Sequence, residues 1–204
     1  MNLLTQNSKL QKSGKTYAFG IPAGLTCPNM KACAVGCYAK AGFYVAYPSV
    51  LRAQKARYEL TQGPHFIELM KREIQKIQPD RVRIHDSGDF WSETYLRKWI
   101  VIMEHFPRTI FYSYSKMINL LKSHPLPQNF TPIFSYGGKE DYLIDPTIHR
   151  HSKVFRSVED LRAAKYANAS HDDRVALGQN HRIGLVFHGP KSKMWGEQQD
   201  PKEV

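Results

Sequence analysis

At 204 residues, with 42% hydrophobic and 12% aromatic side chains, the chain is long enough to bury one substantial core and does not have the composition of a disordered protein. No apolar run reaches the roughly 18 residues of a membrane span, and the first residues lack the apolar block of a secretory leader, so the expectation is a soluble, cytoplasmic protein with no membrane partner. The net charge of +11 favours phosphate-bearing or acidic partners, nucleic acid or another protein, although the basic residues are spread out rather than gathered in one block.

Residues 1–204 read as a single domain, with polar ends at 1–15 and 191–204 expected to be loose. "TYAFGIPA" (16–23) reads as a short strand running into a Pro and Gly turn, and the cysteines follow at once. "SVLRAQKARYELTQ" and "PHFIELMKREIQKIQ" have helical composition, the second with Phe66, Leu69, Met70, Ile74 and Ile77 in one apolar stripe. "RVRIHDSG" is a second strand ending in a turn, and "SETYLRKWIVIMEHF" a helix with Ser92 as its cap.

Strand-like "TIFYSYS", "TPIFSYGG", "SKVFRS" and "HRIGLVFHG" then alternate with the short helix "INLLKSHP", the connection "EDYLIDPTIHR" and the helix "VEDLRAAKYAN". Six strand and helix alternations imply parallel pairing with right-handed crossovers. The expected fold class is therefore α/β, a partial (β/α)6 TIM-like barrel with mainly parallel strands. Such sheets carry their chemistry at the carboxyl ends of the strands, where this chain places the cysteine loop, "HDSGDFW", "YSYSK", "FSYGG" and "FHG".

All three cysteines lie in "CPNMKACAVGCYAKAG". An odd, local set does not suit a disulfide framework and points to a metal. A helix beginning near Ala32 would bring Cys33 and Cys37 one turn apart on one face, with Cys27 converging from the loop. A closed zinc shell wants four ligands. Three thiolates instead suit a 4Fe-4S cluster with one iron left open, recoverable in air as a 3Fe-4S form. The alternatives are zinc, or three unliganded thiols acting as small apolar side chains.

Several motifs in order, "GIPAGLTCPNMKAC", "VRIHDSGDFWSETYLRKWI", "FYSYSK", "SYGGKEDYLID", "SHDD" and "GLVFHG", resemble the "gene product 88" family of phage proteins over most of the chain. That resemblance implies a phage or prophage origin, and hence the cytoplasm of an infected host cell. A more distant architectural resemblance is to the radical S-adenosylmethionine enzymes, where a three-cysteine loop follows the first strand of a partial barrel and a glycine-bearing acidic turn follows the second. It implies that S-adenosylmethionine binds the open iron near Ser87, Gly88 and Asp89. The cysteine spacing differs, with five and then three intervening residues in place of three and two.

The remaining rim residues complete the expected site. Asp89 can accept a bond from a ligand amine or cap a helix, and Lys116 can pair with a carboxylate or phosphate. Gly137 and Gly138 can form an anion-binding backbone concavity. His188 ends the last strand and can approach the open iron as a ligand, while His171, Asp172 and Asp173 either support such an imidazole or form a surface turn and cap before "RVALG". The expected function is thus a phage-type iron–sulfur protein that binds or transforms a small molecule at the open iron. The alternative is a cluster- or zinc-stabilised protein that binds nucleic acid or a host protein.

Overall fold

The computed structural model describes residues 2–40 and 43–187, leaving out the side chains of Phe43 and Val45. In chain order the elements are α1 (Ser8–Lys12), β1 (Thr16–Phe19), α2 (Phe43–Ala46), α3 (Pro48–Gln62), α4 (Phe66–Ile77), β2 (Arg81–Ile84), α5 (Glu93–His105), β3 (Ile110–Ser115), α6 (Ile118–Lys122), β4 (Phe130–Ser135), β5 (His151–Phe155), α7 (Val158–Ala163), β6 (Ala167–Asn168) and β7 (Arg182–Val186). The seven strands form one curled sheet in the order β1-β2-β3-β4-β5-β7-β6, and every pair is parallel. This is a half-barrel. The expected α/β class and parallel pairing are present, but the expected count of six strands is not. The segment expected to be one helix through Asn168 stops at Ala163, and its last residues add the two-residue edge strand β6 beside β7.

Alternation along the strands sorts side chains onto two faces. Outward-facing Phe19, Val82, Ile84, Phe111, Phe130 and Phe134 join α4 and α5 in the larger core. There Phe66, Met70 and Ile74 recur every four residues of α4 and are fully buried, whereas Leu69, expected in the same stripe, is partly exposed. Edge-to-face contacts of Phe19 and Phe66 with Trp99, each at 5.5 Å, fix the angle of the two helices on the sheet. Ser92 accepts from the backbone N–H of Tyr95, as the expected cap of α5.

The inner face is different. Arg83, Tyr112, Tyr114 and Ile133 point into the concavity, and Ala169, Ala176 and Ile183 pack with them in a smaller second core. The segment carrying Asp172, Asp173 and the Val175–Leu177 turn lies toward the amino ends of the strands. Arg150, just before β5, donates to Ala176 O at 2.9 Å, and Ser13 Oγ, before β1, donates to Asp172 at 3.0 Å. That plug leaves the carboxyl end of the half-barrel as its mouth.

The amino-terminal residues, expected to be loose on polarity alone, are tied down. Leu3, Leu4 and Leu10 are buried, and Thr5 bridges to Ala18 in both directions at 2.9 and 2.7 Å. Three leucines among polar neighbours are enough to anchor the segment across β1. Among the described residues no helix is long and apolar enough to cross a membrane.

Candidate functional site

The strand ends enclose a cleft of about 460 Å³ at the mouth, a size suited to a small organic ligand. Its walls come from the loop after β1 (Ala23, Cys27), the turn after β2 (His85 to Asp89), Lys116 after β3, Ser135 and Tyr136 at the end of β4, and Val186 and Phe187 at the end of β7. Lys9 of α1, with Arg83 and Tyr114 from the inner face, also lines it.

The β2 turn is held in a strained shape. His85 has φ +70° and Gly88 φ +87°, both left-handed. A Cβ on Gly88 would stand 2.4 Å from Ile21 Cγ1 and 2.6 Å from Thr26 Oγ1, so only glycine lets the turn approach the loop after β1. Backbone bonds from Ile21 N to Ser87 O and from Asp89 N to Thr26 O, each 3.0 Å, lock the two loops together. Ser87 Oγ donates to Ile21 O at 2.6 Å and accepts from Gln54 at 2.8 Å, so its hydroxyl serves the loop–loop contact.

Asp89 is neither a helix cap nor a free acceptor. Oδ1 accepts from Ser115 Oγ at 2.6 Å and from Phe90 N at 2.8 Å, and Oδ2 accepts from Lys116 N at 2.8 Å. Burial raises its pKa, against the pull of these bonds. It ties the β2 turn to the end of β3. The ammonium of Lys116 donates to Ser135 Oγ at 2.9 Å and remains at the cleft wall.

His85 turns toward the large core, edge-on to Phe90, with Nε2 2.9 Å from the hydroxyl of Tyr95. Burial, aided by the charge of Arg83, lowers its pKa from 6.5 to about 3, so the imidazole is neutral near pH 7. Asp86 sits over Gly20, where a Cβ would lie only 1.9 Å from Oδ1. Its Oδ2 accepts from Tyr44 at 3.3 Å, and its backbone carbonyl accepts from Tyr38.

Beneath these lies Asp173, 1% exposed. Lys9 Nζ is 2.7 Å from its Oδ1, while Arg83 Nη1 and the Tyr112 hydroxyl reach Oδ2 at 3.2 and 2.7 Å. Burial works to raise the pKa of this carboxyl, but Arg83 and Lys9 hold it below the usual value. The Arg83 guanidinium also stacks over Tyr114, 4.8 Å from the ring centre. Arg83 Nε, His85 Nδ1, Asp86 Oδ1 and the Tyr114 hydroxyl are buried polar atoms with no hydrogen-bond partner among the described residues, and all four belong to residues of the cleft.

The expected iron–sulfur site is corrected by this geometry. Among the described residues no group of three or more His, Cys, Asp or Glu is placed to hold a metal ion. The expected helix from Ala32 does not form. Two separate 3-10 turns, Ala32–Ala34 and Tyr38–Lys40, interrupt the segment on either side of Gly36, so Cys33 and Cys37 are not presented one turn apart on one face. Cys27, Cys33 and Cys37 all line the cleft as half-buried thiols. Burial pushes Cys27 up to about 11, so it is a protonated thiol near neutral pH. The 4Fe-4S cluster with its open iron, and the cluster- or zinc-stabilised alternative, therefore have no ligand set among the described residues.

Other expected site residues are distributed unevenly. Gly137 and Gly138 do form a backbone concavity, but their N–H groups donate to Asp141 at 2.8 and 2.9 Å, so the chain fills it with its own carboxylate. Asp172 is engaged by Arg174 at 2.7 Å on the surface, and His171 is exposed. Asp173 supports the cleft floor from below. His188 lies outside the described residues. Arg83, Tyr114 and Lys9 were not anticipated, although the first two carry a readable signal: "RVRI" and "FYSYS" alternate, which puts Arg83 and both tyrosines on the face opposite the apolar core.

A half-barrel whose mouth holds a cleft lined by both apolar and polar side chains defines the class. The chain belongs to the Gene product 88 family, a family of phage gene products, whose family model matches residues 1–202. Comparison with curated proteins and with solved structures finds no match.

Proposed function

We propose that this protein binds a small polar organic molecule in the cleft at the mouth of the half-barrel. The observation that carries the reading is the set of polar atoms on Arg83, Asp86 and Tyr114 that find no partner among the described residues, on side chains that β2, β3 and the β2 turn bring to one concavity. Each such atom left unmet costs roughly 1–3 kcal/mol, and a ligand bearing both donors and acceptors offsets that cost. The position supports it as well, since open parallel sheets bind ligands outside the carboxyl ends of their strands. Tyr38, Tyr44, Tyr114 and Tyr136 add apolar faces to the walls, which suits a ligand with a flat or ring-shaped part.

The geometry favours binding over proton-transfer chemistry. Asp89 has spent its oxygens on the chain itself, and His85 is held neutral well below the pH at which a general base works. The test is thermal denaturation of the full chain with a panel of nucleosides, nucleotides, amino acids, organic acids and S-adenosylmethionine, with a short oligonucleotide as a polyanion control. At least one small molecule is expected to raise the melting temperature, and Tyr114→Trp, which fills the cleft, is expected to abolish the shift. A panel without a single stabilising member, or a shift untouched by Tyr114→Trp, defeats the reading.

A further inference from the structure

At the floor of the cleft two cations share one carboxylate. Lys9 and Arg83 both lean on Asp173, and the surrounding charges are committed elsewhere. Asp172 is paired with Arg174 at the surface, Asp89 is saturated by Ser115 and backbone N–H groups, and Asp86 accepts from Tyr44 and lies in the field of Arg57. Among the described residues the floor therefore carries one positive charge more than its own carboxylate balances, on side chains only partly open to water. A guanidinium does not give up its proton, and burial, followed by the charge of Arg83, lowers the pKa of Lys9. Two donors there find no acceptor among the described residues: Arg83 Nε–H and the hydroxyl of Tyr114, whose ring the Arg83 guanidinium covers. One unbalanced positive charge beside two idle donors is the arrangement that an acid group completes.

Resting on the small-molecule reading above, we propose that the floor of the cleft is an anion subsite in which Lys9, Arg83 and Tyr114 receive the carboxylate or phosphate of an organic acid. Its ring or chain then lies between Tyr38, Tyr136 and the strand ends. The pocket is of nucleotide rather than duplex size, so the acid belongs to a small molecule and not to a nucleic-acid backbone.

The experiment is calorimetry on the full chain at low salt with matched probes: adenosine against adenosine 5′-monophosphate, benzyl alcohol against benzoate, and inorganic phosphate alone. In at least one pair the charged member is expected to bind about tenfold or more tightly than the neutral one. Lys9→Met should fold normally, since it leaves Arg83 and Asp173 as a balanced pair, and should lose about tenfold in affinity for the acid. Lys9→Arg should retain most of it, and Tyr114→Phe should weaken it several-fold. Equal binding of neutral and charged members, or Lys9→Met binding the acid as well as wild type, overturns the subsite. If neutral members bind and Tyr114→Trp abolishes that binding, the cleft stands and only the subsite falls. If no probe binds, the subsite falls, and the cleft falls with it when the melting panel holds no stabilising small molecule or only its oligonucleotide stabilises. Binding of phosphate alone, with no organic acid bound more tightly, would reassign the floor to the free ion.

Discussion

Acidification should destabilise this protein through one buried imidazole. His85 is 2% exposed, bonded to Tyr95 and edge-on to Phe90, and its pKa is lowered from 6.5 to about 3 by burial and then by Arg83. The folded state therefore declines a proton that the unfolded chain accepts, so the stabilisation is complete above pH 6.5 and is lost as the pH falls toward 3. Between pH 7 and pH 5 the unfolded histidine gains about 1.5 pH units of protonation, worth about 2 kcal/mol. The assay is urea denaturation of wild type and His85→Gln at both pH values. Wild type should lose about 2 kcal/mol more than the variant on acidification, after changes common to both are subtracted. Losses that agree within about 0.5 kcal/mol would refute the buried, neutral imidazole and the strand-end geometry built on it.

Four further outcomes follow from the same geometry. Gly88→Ala meets both a left-handed backbone and contacts of 2.4 and 2.6 Å, so urea denaturation should show a loss of about 2–4 kcal/mol. Asp173→Asn strips the counter-charge from Lys9 and Arg83 and should cost about 3–5 kcal/mol in the same assay. The thiols should behave as independent side chains: single Cys27→Ser, Cys33→Ser and Cys37→Ser variants should each cost about 1 kcal/mol. With its pKa pushed up to about 11, Cys27 should react with iodoacetamide at pH 8 about tenfold more slowly than free cysteine, followed by peptide mass spectrometry.

The elements that sequence alone revealed are those written in local patterns. Ser92 before an amphipathic run announced α5, and the 3.6-residue recurrence of Phe66, Met70 and Ile74 announced α4. The alternation of strands with helices gave parallel pairing, and the polar turns after them gave the rim. Spacing failed at the cysteines, because a helix from Ala32 needs a continuous run and the chain breaks into two turns around Gly36. The cleft floor was hidden for another reason. Lys9, Arg83 and Asp173 are far apart in the chain and meet only when α1 and the 169–177 segment close on the inner face of the sheet. Polarity also misled at the amino terminus, where Leu3 and Leu4 outweigh their neighbours because each reaches the core.

Hydrogen exchange with and without the most stabilising compound of the panel tests the central claim most directly, because it reports where the compound sits. Slower exchange is expected in the loop after β1, in the turn from His85 to Asp89 and at the ends of β3 and β4. Protection confined to the groove between α5 and residues 124–127, or no protection anywhere, would contradict a ligand site at the mouth of the half-barrel.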